Sequence, residues 1–177
     1  MITPDVITHL EKYFKLSRTY FTDGDYTLAV FFAITTIEES SKVLILRDKD
    51  SPQIERKQAI GETYSHKTKY LNALINLIDQ SPSFESLPDN MQKKTRWWWN
   101  TKALLKLRND ALYMNLDKNE RLKTPKNRIT NKQAALFVYV AGIALAELDE
   151  YISGFTPGWK ESILRVTDAF RQKYLRV

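Results

Sequence analysis

Apolar residues recur three and four positions apart along most of the chain, and polar or charged residues fill the positions between them. This spacing is typical of α-helices that bury one face. Only five glycines and six prolines interrupt the sequence, and most of them fall between the periodic segments, where turns are expected. The pattern therefore predicts an all-α domain whose helices are joined by short connections.

Caps and turn residues set the predicted boundaries of these helices. Thr3 followed by Pro4 is typical of a helix start. The segments DKDSP and SPSFESLPDN are predicted loops, and the basic segment DKNERLKTPKNRITNK is a predicted exposed loop. The predicted helices run from Pro4 to Phe21, Asp25 to Arg47, Gln53 to Asp79, Asn90 to Leu116, Asn131 to Ser153, and Pro157 to the end.

The composition is that of one globular domain, and we treat residues 1–177 as a single unit: 43% of the residues are hydrophobic and 27% are charged. The absence of cysteine excludes disulfides, thiolate zinc sites and cysteine nucleophiles. The two histidines, His9 and His66, are too few for a multi-histidine metal site in one chain. We therefore expect no metal and no cofactor.

Neither a leader peptide nor a membrane span is predicted. No segment approaches the roughly 18 consecutive apolar residues of a spanning helix, and the first residues lack a basic segment followed by an apolar run. We expect a cytoplasmic protein with no membrane partner. Its formal net charge of +6 favours an anionic partner such as RNA, DNA or an acidic protein, although many basic proteins bind none.

Arg108 is a permanent cation on an apolar helical face. At 100° per residue it falls among Trp97, Thr101, Leu104, Leu105, Ala111 and Leu112. Because a guanidinium cannot lose its proton to escape burial, it must meet a carboxylate, a phosphate, backbone carbonyls or a wet subunit interface. A structural ion pair and a functional site both remain open.

The second and third predicted helices carry comparable anomalies. Lys67 interrupts an apolar stripe, and His66 lies in a second, weaker one, where a core or interface role is commoner than a catalytic role. Glu38 and Glu39 end the most apolar segment of the chain, and Lys42 is within helical reach of either. Both acids are candidates for pairing with Arg108, and periodicity does not decide which one is buried.

The tryptophan triplet at 97–99 cannot all face one core, because consecutive helical residues point about 100° apart. At least one of the three is expected to be exposed or at an interface. Stacking of a nucleic-acid base on it is one use, and a dimer contact is the commoner one.

Three segments in order, AITTIEESSKVL, SHKTKY and RNDALYMNLD, resemble the AbiV family of bacterial abortive-infection proteins, within the HEPN superfamily. The resemblance covers roughly residues 10 to 150 and rests on Glu-Glu-x-x-Lys, His-Lys-x-x-Lys and Arg-x-x-x-x-Tyr elements. It implies an all-α, HEPN-like antiparallel helical bundle with additional terminal helices that forms a homodimer. Many HEPN proteins are metal-independent ribonucleases with an arginine followed four to six residues later by histidine. In these proteins the residue after the arginine is commonly polar. Arg108 and Asn109 match that motif, and Tyr113 stands in place of the histidine.

The resemblance implies an anti-phage protein that interferes with RNA or translation, with a phage-encoded protein as its trigger. An active ribonuclease and a non-enzymatic interaction module are the alternatives. Attack by a ribose 2′-hydroxyl needs a base and a cation. Tyrosine, with an ordinary pKa of about 10, is a poor base at neutral pH, so His66 is a candidate substitute.

These arguments define three sets of candidate residues. The catalytic candidates are Arg108, Asn109, Tyr113 and His66. The polar cluster around them is predicted to contain Glu38, Glu39, Lys42, Lys67, Lys69 and Asp110. The candidates for contacting nucleic acid are Lys102, Lys106, Arg121, Lys123, Lys126 and Arg128.

Overall fold

The structure, a computed structural model, describes residues 4–46, 65–100, 103–112, 115–116, 122–123, 129–151 and 156–175. Most of these residues are helical, as the hydrophobic pattern predicts. The elements are α1 (Pro4–Thr22), α2 (Tyr26–Leu46), α3 (His66–Ala73) with a π-helical continuation (Leu74–Ile78), α4 (Pro82–Glu85), α5 (Asp89–Asn100), α6 (Ala103–Leu112), β1 (Asn115–Leu116), β2 (Leu122–Lys123), α7 (Asn131–Ala146) with a 3-10 turn (Glu147–Tyr151), and α8 (Trp159–Tyr174).

Helix α7 is the centre of the bundle. Every residue from Ala134 to Ala146 is buried, and a helix that is apolar all round needs neighbours on all sides. Helices α1, α2 and α8 and the π-helical segment supply them. The start of α7 is fixed by a capping box, in which the Thr130 hydroxyl accepts from the Gln133 amide and the Gln133 side chain accepts from the Thr130 amide.

Helices α1 and α2 form an antiparallel pair joined by a tight turn. Gly24 adopts a positive φ of 80° there, a conformation that favours glycine. Asp25 then caps α2, because its Oδ1 accepts a hydrogen bond from the Leu28 amide at 3.1 Å. The pairing buries one side of α2 on α1 and leaves its far side for α3 and α6, which carry the candidate site.

The tryptophan triplet divides between core and surface, which confirms that the three cannot share one face. Trp98 and Trp99 are buried and stack on Phe137 of α7, with ring centroids 4.5 and 5.8 Å apart. Trp97 is 58% exposed. Helix α5 is thereby attached to the centre of the bundle with one large aromatic side chain left on the outside.

Several predicted boundaries are wrong. The helix predicted from Gln53 to Asp79 does not run through Ser65, which is the extended N-cap of α3, and its part from 53 to 64 lies outside the described residues. The predicted helix from Asn90 to Leu116 corresponds to α5 and α6, of which α6 ends at Leu112, and Leu105 of its predicted apolar face is 36% exposed. Leu116 lies instead in β1, which pairs antiparallel with β2 inside the predicted basic loop. The predicted loop at 81–90 contains α4, whose Phe84 is fully buried. At β1 and at α4, pairing or burial by distant residues outweighs local preference.

Candidate functional site

Glu38 is a carboxylate inside the apolar bundle. It lies on α2 and is only 3% exposed. A carboxylate this deeply buried is tolerated only when it is paired and hydrogen-bonded. Its partners come from α3 and α6, and together with Glu38 they form what we call the Glu38 cluster, whose members are Glu38, His66, Lys69, Tyr70 and Arg108.

Two side chains of α3 converge on the same oxygen of Glu38. The Tyr70 hydroxyl donates to Oε1 at 2.5 Å, and His66 Nδ1 lies 2.9 Å from it. His66 and Tyr70 are four residues apart and so lie on one face of the helix. Ser65 fixes the start of α3, because its Oγ accepts from the Thr68 amide at 3.3 Å. The helix therefore begins at the residue that contacts Glu38.

Two cations complete the cluster. Lys69 Nζ lies 3.5 Å from Glu38 Oε2, and its side chain is 5% exposed. Arg108 Nε lies 3.4 Å from Oε1, and its side chain is 22% exposed. The guanidinium also lies over the Phe31 ring, 5.8 Å from the centroid, where the π face attracts a cation. One carboxylate thus faces a lysine and an arginine, so the formal charge of the cluster is positive.

The Tyr70 hydroxyl is held in its protonated form. Burial is the main cause that raises its pKa, the Glu38 charge and hydrogen bond raise it further, and the charge of Arg108 acts in the opposite direction. A phenol with a raised pKa is a donor rather than a base at neutral pH. Tyr70 therefore donates to the Glu38 carboxylate and helps to hold it in place.

His66 has the geometry of an oriented base. A carboxylate only accepts hydrogen bonds, so Nδ1 carries the proton in its bond to Glu38 and Nε2 of the neutral ring keeps its lone pair. The histidine side chain is 36% exposed, whereas that of Glu38 is 4% exposed. A buried carboxylate that orients a solvent-accessible imidazole is the arrangement by which catalytic triads hold their histidine.

The structure separates the two acids that periodicity left open. Glu38 pairs with Arg108, whereas Glu39 pairs with Lys42 at 2.5 Å in a half-buried ion pair of its own. The interpretation of Lys67 as the charge within an apolar stripe is wrong, because Lys67 is exposed. Helix α3 is rotated so that positions 66, 69, 70 and 73 face the bundle, which makes Lys69 the buried lysine.

The other predicted residues lie outside the Glu38 cluster or outside the residues that the structure describes. Asn109 and Lys106 are exposed and make no contact with Glu38 among the described residues. Two predicted residues, Asp110 and Lys123, have helical or strand backbones whose side chains are not described. The remaining predictions fall outside the described residues and concern Lys102, Tyr113, Arg121, Lys126 and Arg128.

Two members of the site were missed by sequence reasoning. Tyr70 lies four residues after His66, and this helical spacing is the signal that its hydroxyl shares the partner of that histidine. Phe31, which lies under Arg108, gives no such signal, because nothing local relates α2 to α6. Among the described residues no group of three His, Cys, Asp or Glu side chains is placed to hold a metal ion.

The all-α bundle is consistent with a HEPN-like helical fold. A family model described as AbiV, HEPN_AbiV, matches residues 3–146, and the chain belongs to this family. Membership indicates a role in abortive infection, a form of anti-phage defence. No curated protein and no solved structure matches the chain significantly. No described helix is long and apolar enough to span a membrane.

Proposed function

We propose that this protein is an anti-phage ribonuclease that works as a homodimer and cleaves RNA at the Glu38 cluster. The observation that carries the proposal is that one carboxylate oxygen joins His66, 2.9 Å away, to Arg108, 3.4 Å away. Cleavage through a ribose 2′-hydroxyl needs a base beside a cation. The two residues that could fill these roles lie on different helices and meet at Glu38.

His66 acts as the base in the proposed reaction. Its Nε2 takes the proton of the 2′-hydroxyl, and the resulting imidazolium is stabilised by the Glu38 carboxylate on its other nitrogen. The 2′-oxygen attacks the adjacent phosphorus, the bond to the 5′-oxygen breaks, and that oxygen takes a proton from water. The products are a 2′,3′-cyclic phosphate and a free 5′-hydroxyl.

Arg108 stabilises the charge that grows on the phosphate oxygens during attack. Its guanidinium is held between Glu38 and the Phe31 ring, so little reorganisation is needed when the substrate arrives. Lys69 is buried and serves to balance Glu38. Without Lys69, Glu38 would neutralise Arg108 alone, and the attraction for a phosphate would be weaker.

RNA cleavage by the purified full chain in excess chelator tests the proposal. We expect the natural protein to cut a single-stranded RNA and to leave 2′,3′-cyclic phosphate ends, detected by mass spectrometry. His66→Ala should lower the rate by roughly 10²- to 10⁴-fold, the usual contribution of a general base. Arg108→Ala should lower it by roughly 10²- to 10³-fold, the usual cost of removing a group that stabilises developing charge. Lys67→Ala is the matched control, because Lys67 follows His66 and is exposed, and its rate should be unchanged.

Cleavage that survives both His66→Ala and Arg108→Ala would come from a contaminant and would remove the proposed activity. A natural protein that does not cut RNA at all, combined with loss of the dimer in Arg108→Ala, would favour an interaction module in which the Glu38 cluster sets dimer geometry. The many contacts of Glu38 are the observation that favours this second function.

The defence role has a separate test in cells. Expression of the natural chain in a susceptible bacterium should reduce phage yield, and the His66→Ala chain, expressed to the same level, should not. An unchanged yield with the natural chain across a broad phage panel would count against defence. Equal protection by His66→Ala would separate defence from RNA cleavage.

A further inference from the structure

A groove of about 520 Å³ lies between α1 and α8, on different helices from those that supply the Glu38 cluster. We call it the basic groove and define it by Lys15, Arg18, Thr19, Thr22, Lys173 and Tyr174. Helix α8 lies beyond residues 3–146, which the AbiV family model matches. The groove is therefore built in part by a helix outside the matched family region.

Helical spacing explains why these side chains meet. Lys15, Arg18 and Thr22 are three and four residues apart and line one face of α1. Lys173 of α8 lines the groove opposite them. The two helices are joined below by aromatic contacts, since the Phe21 ring lies 4.9 and 4.8 Å from the rings of Phe170 and Tyr174.

Arg18 is the cation that needs a partner. Burial lowers the pKa of its guanidinium, yet arginine keeps its charge in proteins. Among the described residues no carboxylate lies within ion-pair distance of Arg18, and its guanidinium rests over the Phe14 ring at 5.6 Å. A half-buried permanent cation without a countercharge favours an anion from outside the chain.

The remaining lining strengthens the preference for an anion. Lys15 and Lys173 add two exposed cations, and Asp23 is the carboxylate that lines the groove, so positive charge prevails. The hydroxyls of Thr19 and Tyr174 offer hydrogen bonds at the same place. A bond to Lys173 is the main cause that lowers the pKa of Tyr174, which reports the positive surroundings of that phenol.

We propose that the basic groove binds a small phosphate-bearing molecule. Arginine presents a planar fork of donors that matches phosphate oxygens, and lysines add point charges around it. The excess positive charge of the lining suits a phosphate group, which carries roughly −1.5 to −2 charges near pH 7. The volume, about 520 Å³, falls in the range of roughly 300–1,000 Å³ that is usual for small-molecule pockets. The ligand class is an organic or inorganic polyphosphate.

Isothermal titration calorimetry of the full chain with ATP and with inorganic triphosphate tests this site. We expect one molecule of each probe to bind per chain at low salt. Lys173→Ala should weaken binding by about tenfold, the effect of losing one favourable charged contact. Lys12→Ala is the matched control, because Lys12 is exposed on α1 and does not line the groove. Both lysines are exposed, so neither change disturbs the fold.

The affinities of ATP and inorganic triphosphate distinguish which part of a ligand the basic groove recognises. Equal affinity for the two probes supports recognition of the phosphate chain alone, and tighter binding of ATP supports an added contact with the nucleoside. Absence of binding by either probe up to about 1 mM, a value that corresponds to weak association, would overturn the proposal. The proposal would also be overturned if Lys12→Ala weakened binding of the probes as much as Lys173→Ala does. Binding of an RNA oligonucleotide with no binding of ATP or triphosphate would overturn it too. This experiment measures binding and not RNA cleavage. Its failure is therefore distinguishable from failure of the proposed ribonuclease activity.

Discussion

Glu38 is accommodated inside the bundle because four side chains share its carboxylate. Tyr70 and His66 meet one oxygen, Lys69 the other, and Arg108 approaches from α6. The sequence alone singled out His66 and Arg108 as polar groups on apolar faces. It could not choose between Glu38 and Glu39, because α2 is apolar nearly all round and neighbouring positions differ by one third of a turn.

Removing the charge of Glu38 should destabilise the protein strongly. Glu38→Gln leaves Lys69 buried beside Arg108 with no countercharge, and breaking a buried pair in this way costs about 3–5 kcal/mol. Glu39→Gln, the matched control, breaks only a half-exposed pair with Lys42 and should cost less than about 1 kcal/mol. Urea titrations of the two variants and the natural protein measure the free energies of unfolding that test this difference. Equal losses of unfolding free energy for both changes would show that Glu38 contributes no more to stability than Glu39 does.

Tyr70→Phe should cost about 1.5–3 kcal/mol at pH 7, the range for a hydrogen bond to a charged group. Because folding raises the pKa of Tyr70, its stabilising contribution is fully present below the unfolded value of about 10. Above that pH the unfolded chain releases the proton and the folded chain retains it, so the contribution is lost as pH rises.

The difference in unfolding free energy between the natural protein and Tyr70→Phe should therefore narrow above pH 10. Urea titrations at pH 7 and at higher pH measure it. A difference that stays constant or widens would contradict the burial of this hydroxyl on Glu38.

At the scale of elements, periodicity predicts which segments are helical but not where tertiary contacts interrupt them. Helices α1, α2 and α7 begin within one residue of their predicted starts, since Pro4, the Asp25 cap and the Thr130 capping box mark them locally. The π-helical turn at Leu74–Ile78 was missed, because its buried residues Leu74, Leu77 and Ile78 keep the spacing of three and four that an α-helix also shows. The β1–β2 pair was missed because pairing joins residues that no local pattern relates.

Gly142 sets the distance between α7 and its neighbours, so Gly142→Ala should destabilise the protein by about 1–3 kcal/mol, the usual cost of overpacking. An added Cβ would meet Thr167 of α8 and would lie 2.8 Å from Phe14 Cζ of α1. Thermal and urea unfolding measure the loss. The double variant with Thr167→Ala removes the closer clash and should recover part of it. An unchanged stability in Gly142→Ala would mean that these helices have room to move apart.

At the scale of the whole molecule, the Glu38 cluster, the basic groove and Trp97 lie on different elements. Trp97 is 58% exposed beside Lys93 and Lys94, which are exposed too. Tryptophan is enriched at protein interfaces relative to the rest of the surface. The proposed homodimer therefore has a testable contact that does not overlap the cluster.

Trp97→Ala should weaken self-association by at least about tenfold, because interface tryptophans commonly contribute more than 1–2 kcal/mol. Sedimentation velocity over a range of concentrations measures the dimer constant. Lys93→Ala, one turn earlier on α5 and exposed, is the matched control and should change it little. A natural protein that stays monomeric at all concentrations would remove the homodimer, and an unchanged dimer in Trp97→Ala would move the interface elsewhere.

A double-mutant cycle on RNA cleavage tests most directly whether His66 and Arg108 form one site through Glu38. The single-turnover rates of the natural protein, His66→Ala, Arg108→Ala and the double variant are measured in excess chelator. Residues that act as a unit are not additive, so the double variant should be no more than about tenfold slower than the slower single variant. A natural protein without activity, or losses that multiply in the double variant, would contradict this account.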